Sequence, residues 1–163
     1  MTEPPMDPMG LPIFQFTQEG STFSGIELNS LFELSHGSNY DIDLEVVGDY
    51  VRAELDSGDN VPRIPAMSLG TGVLFNGPNW HGAARLRWYD DQDDFSSSET
   101  ATEGFTMVNV DVGYRFTKGS LVHNLMLRVN NLTDEDARLH TSRLKDIVPL
   151  PGRDVRVSYR VVF

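Results

Sequence analysis

The last ten residues of the chain alternate between apolar and polar side chains, and this pattern constrains the fold more than any other feature. The apolar positions end on an aromatic residue: Val155, Val157, Tyr159, Val161 and Phe163. Period-two alternation predicts a β-strand with two chemically different faces. Because chain ends in soluble domains usually fray, a strand that runs into an aromatic final residue is typical of a transmembrane barrel. There, apolar side chains meet lipid and polar side chains meet the lumen.

Six earlier segments show the same alternation. The predicted strands span residues 13–34, 40–55, 64–76, 79–90, 105–116, 121–130 and 153–163. Each is about ten residues or longer, which is the length that a tilted strand needs to cross a bilayer. Short turns rich in Gly, Asn and Ser alternate with long acidic segments. The sequence therefore predicts an all-β, antiparallel transmembrane β-barrel portion with short periplasmic turns and long extracellular loops.

The number of strands bears on whether such a barrel is complete. The apolar phase stays on even positions from Phe14 to Phe32, which indicates one long first strand and seven strands in total. Bacterial single-chain barrels have even strand numbers, so we expect a fragment of a larger barrel, with residues 1–12 as a loop remnant and 13–163 as barrel. A hairpin at Glu19-Gly20 would instead give a small closed barrel of eight strands, with a structural or adhesion role. A soluble β-sandwich that binds a partner is a more distant alternative.

Composition excludes several other classes of protein. Mean hydropathy is −0.30, and no apolar run approaches the roughly 20 residues of a membrane helix. The net charge of −11 argues against nucleic acid as a partner, and the absence of cysteine excludes disulfides and thiolate chemistry. Because no catalytic constellation stands out, we expect neither an enzyme nor a cofactor, although an active site around His81 or His140 stays open.

A set of short motifs identifies a family. The carboxy-terminal part carries Asn130, Asn131, Leu132 and Asp134, then Pro151, Gly152 and Arg153, then the aromatic-ended strand. Upstream, Gly25-Ile26-Glu27-Leu28 and Gly48-Asp49-Tyr50 follow in matching order and spacing. From about Phe14 onward, this ordered set resembles the carboxy-terminal end of TonB-dependent outer-membrane receptors.

The resemblance implies a plugged barrel of about 22 strands in the bacterial outer membrane, which imports a scarce metal, metal complex or cofactor. Its implied partners are outer-membrane lipid and lipopolysaccharide, the barrel-assembly machinery, and the remainder of the receptor, including the plug. The TonB energy-coupling protein would act only through that remainder. Because the 163 residues contain no counterpart of the plug or the coupling box, we expect no transport by this chain alone.

The resemblance also assigns two sets of candidate residues. The stretch around His140 is most similar to the zinc-uptake branch of the family, which makes His140 a candidate metal ligand. Zinc normally takes three or four ligands, so the others would come from elsewhere in the receptor. In the final strand, an aromatic-ended pattern corresponds to the segment that the barrel-assembly machinery recognises: Val157, Tyr159, Val161 and Phe163.

Charged side chains of both signs alternate with the apolar positions and are expected to face the lumen. They are Glu27, Asp43, Glu45, Asp49, Arg85, Arg87, Asp111, Arg115, Arg128, Arg156 and Arg160. Since an unpaired buried charge is costly, we predict that they pair with one another within the barrel wall.

Overall fold

The computed structural model describes Met9 and residues 18–163, and this part of the chain folds into one antiparallel sheet of seven strands. The strands are β1 Ser21–His36, β2 Asp41–Leu55, β3 Ser68–Asn76, β4 Trp80–Tyr89, β5 Phe105–Lys118, β6 Leu121–Asn130 and β7 Asp154–Val162. Each strand pairs with its neighbours in sequence, in the order β1 to β7. The predicted number of strands, their direction and the alternation of short and long connections are confirmed. Among the described residues, no helix is long and apolar enough to span a membrane.

Two strand starts differ from the prediction. The first strand begins at Ser21 rather than residue 13, although the Gly20 carbonyl still accepts a 3.0 Å hydrogen bond from the Asp56 N–H beside the end of β2. The partner strand of the eight-strand alternative falls on residues outside the described part. The third strand begins at Ser68 rather than residue 64, because Pro65 has no N–H to donate and its carbonyl accepts from the Gln92 side chain at 3.2 Å.

The outer face of the sheet is apolar across all seven strands. One row of directly paired residues crosses the whole sheet: Phe32, Leu44, Val73, Ala84, Val110, Val129 and Val155. Phe32 and Val155 are more than half exposed. A continuous exposed apolar surface marks a contact with lipid or with another protein, and here it repeats with the period of the strands.

Aromatic side chains form a band on the outer face near the short turns. The ring centroids of Trp80 and Tyr114 lie 4.6 Å apart, and those of Phe116 and His123 lie 4.6 Å apart. The band continues to β7, where the Tyr159 hydroxyl lies 2.6 Å from His123 Nδ1. Aromatic girdles of this kind mark the membrane–water interfaces of barrel proteins. We call this side of the sheet the short-turn end and the opposite side the long-loop end.

Candidate functional site: the inner face and the long loops

The opposite, inner face carries a charge network that crosses three strands. Arg85 on β4 donates from Nε to Glu45 Oε2 on β2 at 2.9 Å, and its Nη1 lies 3.5 Å from Asp111 Oδ1 on β5. The intervening strand β3 has Gly72 between the two partners in the register. A Cβ atom at Gly72 would lie 2.9 Å from Arg85 Cγ and 3.2 Å from Glu45 Oε2. The missing side chain therefore lets the ion pair pass over β3.

A second ion pair repeats this arrangement one step nearer the long loops. Arg87 on β4 pairs with Asp49 on β2, and the Ser68 hydroxyl on β3 lies between them. Ser68 Oγ donates to Asp49 Oδ1 at 2.9 Å and accepts from Arg87 Nε at 2.9 Å. Ser68 is fully buried. Burying this hydroxyl costs little because both of its hydrogen-bonding roles are filled.

Replacing Gly72 with valine is expected to separate Arg85 from Glu45, because the added side chain occupies the space that the ion pair uses. Overpacking of this kind typically costs about 1–3 kcal/mol, measured as the free energy of unfolding in detergent. Thr71→Val, on the outer face of the same strand, is the matched control and should change stability by less. Equal stability of the two variants would contradict a role for Gly72 in the network.

The prediction that charges pair within the wall holds for part of the inner face only. It is confirmed for Arg85 and Arg87, and Arg156 Nε lies 2.6 Å from Asp154 Oδ2. Within residues 18–163, three further arginines form no ion pair: Arg115, Arg128 and Arg160. They were expected to find carboxylates on neighbouring strands, but Asp111 is already bound by Arg85 and Asp154 by Arg156.

The motif after β6 forms a clamp around the last long loop. Asn131 is 1% exposed, and its Nδ2 donates to the carbonyls of Glu135 at 2.9 Å and Pro151 at 3.2 Å. Its Oδ1 accepts from the Glu135 N–H at 2.8 Å. The backbone of Asn131 has a φ of 49°, a left-handed conformation that asparagine tolerates better than most residues. One buried amide therefore joins the two ends of the segment 131–153.

Asp134 completes the clamp from the same turn. Its φ is 61°, and its Oδ1 accepts a 2.8 Å hydrogen bond from the Arg153 N–H. A Cβ atom at Gly152 would lie 2.9 Å from the same oxygen. Beside it, Asn130 Nδ2 donates to Asp154 Oδ2 at 3.2 Å. The structure thus brings together the motif residues except Leu132, whose side chain is 41% exposed.

The long loops contact one another at the long-loop end, and the centre of that contact is a buried lysine. Lys145 is 5% exposed. Its Nζ donates to the Thr100 carbonyl at 2.7 Å and the Thr100 hydroxyl at 2.6 Å, and it lies 3.3 Å from the Ala101 carbonyl. Thr100 Oγ1 also donates to Asp146 Oδ1 at 2.7 Å. These bonds join the loop between β4 and β5 to the loop between β6 and β7.

His140 lies buried beside this contact. Its Nδ1 is 2.8 Å from Thr102 Oγ1, and its Nε2 is 3.7 Å from Glu99 Oε2 and has no hydrogen-bond partner. Burial holds the pKa of His140 below its usual value, although the Glu99 carboxylate opposes the shift. Burial acts to raise the pKa of Glu99, but hydrogen bonds from Arg63 and Ser96 hold that pKa below its ordinary value.

Lowering the pH is expected to open the loops. Because the pKa of His140 is lowered in the folded state, the unfolded loop binds the proton more tightly, and stability falls as the pH drops below about 6.5. Glu99 adds a second loss below about 4.5, where its lowered pKa ceases to favour the folded state. Hydrogen exchange of residues 96–104 at pH 7.5 and pH 5.5 measures the change. Equal protection at both values would contradict it, and His140→Gln should remove the upper step.

The expected metal site is not assembled by the described residues. In Met9 and residues 18–163, no group of three or more His, Asp or Glu side chains is placed to hold a metal ion. His140 has only Glu99 beside its free Nε2. Its role as a metal ligand stays a prediction.

The predicted assembly signal lies on an edge strand. The last strand, β7, pairs with β6 alone. Val157 and Tyr159 are well exposed on its outer face, and Phe163, directly after the strand, is fully exposed. Val161 pairs with His123 beside the aromatic band. The edge offers unpaired backbone groups to another strand.

Comparison with known proteins identifies the family. Residues 2–132 match the model of the TonB dependent receptor-like, beta-barrel family. The solved structures include the copper transporter OprC, which matches with a TM-score of 0.71 and 21% identity over 89% of this chain. The chain spans 24% of that transporter's length. No curated protein matches the chain.

The match covers most of the strands described above. It includes β1 to β6 and the first part of the clamp, while Asp134, Arg153 and β7 lie beyond it. The family consists of outer-membrane receptors and transporters rather than enzymes, and its full-length members have a plug and a TonB partner. The matches do not confirm the zinc-uptake branch. The chain belongs to the TonB-dependent receptor-like β-barrel family.

Proposed function

We propose that this chain forms the carboxy-terminal wall of an outer-membrane receptor that imports a scarce metal, metal complex or cofactor. The observation that carries the proposal is the two-faced sheet, with an apolar row across all seven strands on one face and a charged network on the other. The strands would cross the bacterial outer membrane with the short turns in the periplasm. The acidic long loops would lie outside the cell and contact lipopolysaccharide.

The proposed cargo is a metal, and the wall alone does not transport it. The similarity to a copper transporter and the expectation of zinc binding around His140 support this cargo class. Import would require the plug and the coupling to TonB that the family implies. This wall would then supply part of the lumen and of the extracellular rim.

Cellular metal content tests the proposed function. Deletion of the gene that contains this chain should lower the accumulation of copper or zinc when supply is limiting, and the complete gene should restore it. Elemental analysis of washed cells provides the measurement. Unchanged copper, zinc and iron contents in the deletion strain under limitation would contradict a metal cargo.

We also propose that the end of β7 is the segment that the barrel-assembly machinery recognises. Phe163→Ser is expected to reduce the assembled fraction of the receptor severalfold, since it removes the exposed aromatic residue that ends the edge strand. Heat-dependent migration of the barrel in gels reports assembly. Ile147→Ser, at an equally apolar and exposed loop position, is the control and should assemble normally. Normal assembly of both variants would overturn this role.

A further inference from the structure

The inner face of β5, β6 and β7 contains a groove bordered by arginines. Its floor is a register row of Gly113, Met126 and Ser158. On the side of the short turns, Arg115 and Arg160 flank it; on the other side, Arg128 and Arg156 lie opposite each other. The resulting cavity has a volume of about 490 Å³. We call it the arginine groove.

The arginine groove has more positive charge than the described wall neutralises. Arg156 is held by Asp154, and the nearby Asp111 faces Arg85 instead. The other three arginines form no ion pair with the residues that the structure describes. In a chain of net charge −11, such an excess is local, and it attracts an anionic partner.

The groove faces away from the apolar surface, so the partner is not membrane lipid. All four arginines are exposed along the wall, which suits an extended protein segment better than a small enclosed ligand. Arginine binds carboxylates through two parallel hydrogen bonds. Arg156 and Arg160 are four residues apart on β7, which corresponds to about 13 Å. An extended segment whose carboxylates are also four residues apart would place one at each end of the groove.

We propose that the arginine groove binds an acidic, extended segment of the receptor's plug domain, with carboxylates four residues apart. This proposal rests on the proposed function, because it requires the plug that the family implies. The segment supplies the negative charges that the wall lacks and fixes the plug against the carboxy-terminal strands. Arg128 binds one carboxylate of the segment, and Arg115 and Arg160 bind the other.

The proposal is tested by cross-linking in the full-length receptor purified from membranes. Arg160→Lys and Arg128→Lys each place a primary amine in the groove. A water-soluble carbodiimide activates a carboxylate, the amine attacks the activated carbon, and an amide forms as the urea leaves. Mass spectrometry of the digested receptor then identifies the bonded carboxylate. We expect each variant to be joined to an Asp or Glu of the plug, at positions four residues apart.

A matched control shows that the chemistry works in the same molecule. Arg52 Nη2 lies 2.9 Å from Glu54 Oε1, away from the groove, so Arg52→Lys should cross-link to Glu54 and not to the plug. If this control reacts while both groove variants bond only to wall carboxylates or to none, the proposal is overturned. Suppression of plug cross-links by millimolar phosphate but not by equal ionic strength of chloride would confirm an anion site, and the plug bond itself confirms its occupant. The cross-link is independent of cargo, so its failure leaves the metal-uptake test unaffected.

Discussion

Asn131→Ala is expected to lower the free energy of unfolding by about 3–5 kcal/mol. The substitution removes three side-chain hydrogen bonds at a site that is 1% exposed. It leaves the carbonyls of Glu135 and Pro151 and the N–H of Glu135 without these partners, and each buried unsatisfied group costs about 1–3 kcal/mol. Alanine also tolerates the left-handed backbone at this position less well than asparagine.

The loss should appear in urea unfolding of the receptor in detergent, and the loop 131–153 should become sensitive to protease. Asn124→Ala is the matched control, because Asn124 lies on the same strand and has no side-chain hydrogen bond to the described residues. Its stability should remain within about 0.5 kcal/mol of the unsubstituted protein. A similar small effect at Asn131 would contradict the clamp.

Lys145→Met is expected to release the long loops from one another while the sheet stays folded. The ammonium group is buried and donates to Thr100 twice. Its removal leaves a carbonyl and a hydroxyl unpaired, and hydrogen bonds to charged groups contribute about 1.5–3 kcal/mol each. We therefore expect the local opening free energy of residues 96–104 to fall by about 2–4 kcal/mol.

Hydrogen exchange followed by mass spectrometry measures that opening segment by segment. Protection should fall in the loop between β4 and β5 and stay unchanged in β5 itself. Lys118→Met, at an exposed position beside the last short turn, should alter neither. Unchanged loop protection in Lys145→Met would mean that other contacts hold the loops together.

The strands could be predicted because their alternation has a direct physical cause. Each outer-face row must be apolar on every strand, and a slip of one residue would place Val110 or Val129 on the charged face. The start of β3 could not be predicted in the same way. The segment 64–67 continues the apolar pattern, but its backbone bonds go to the Gln92 side chain, which is 27 and 28 residues away.

The site was predicted only in part. The motif residues were identified by resemblance, and the structure adds the reason, which is the buried amide of Asn131 between two chain segments. Lys145 and Thr100 had no sequence signal, since 45 residues separate them and neither stands in a motif. The glycine at position 72 also escaped notice, because its value lies in the space left above it.

The most direct test of the account asks which residues of β6 face lipid in the native outer membrane. The 163 residues contain no cysteine, so single cysteines can be placed at positions 124 to 129 and treated with membrane-permeant, lipid-soluble and water-soluble thiol reagents. The account predicts strict alternation: L125C, L127C and V129C react from lipid, and N124C, M126C and R128C react from water. Equal reaction of all six with the water-soluble reagent would contradict a membrane-spanning wall.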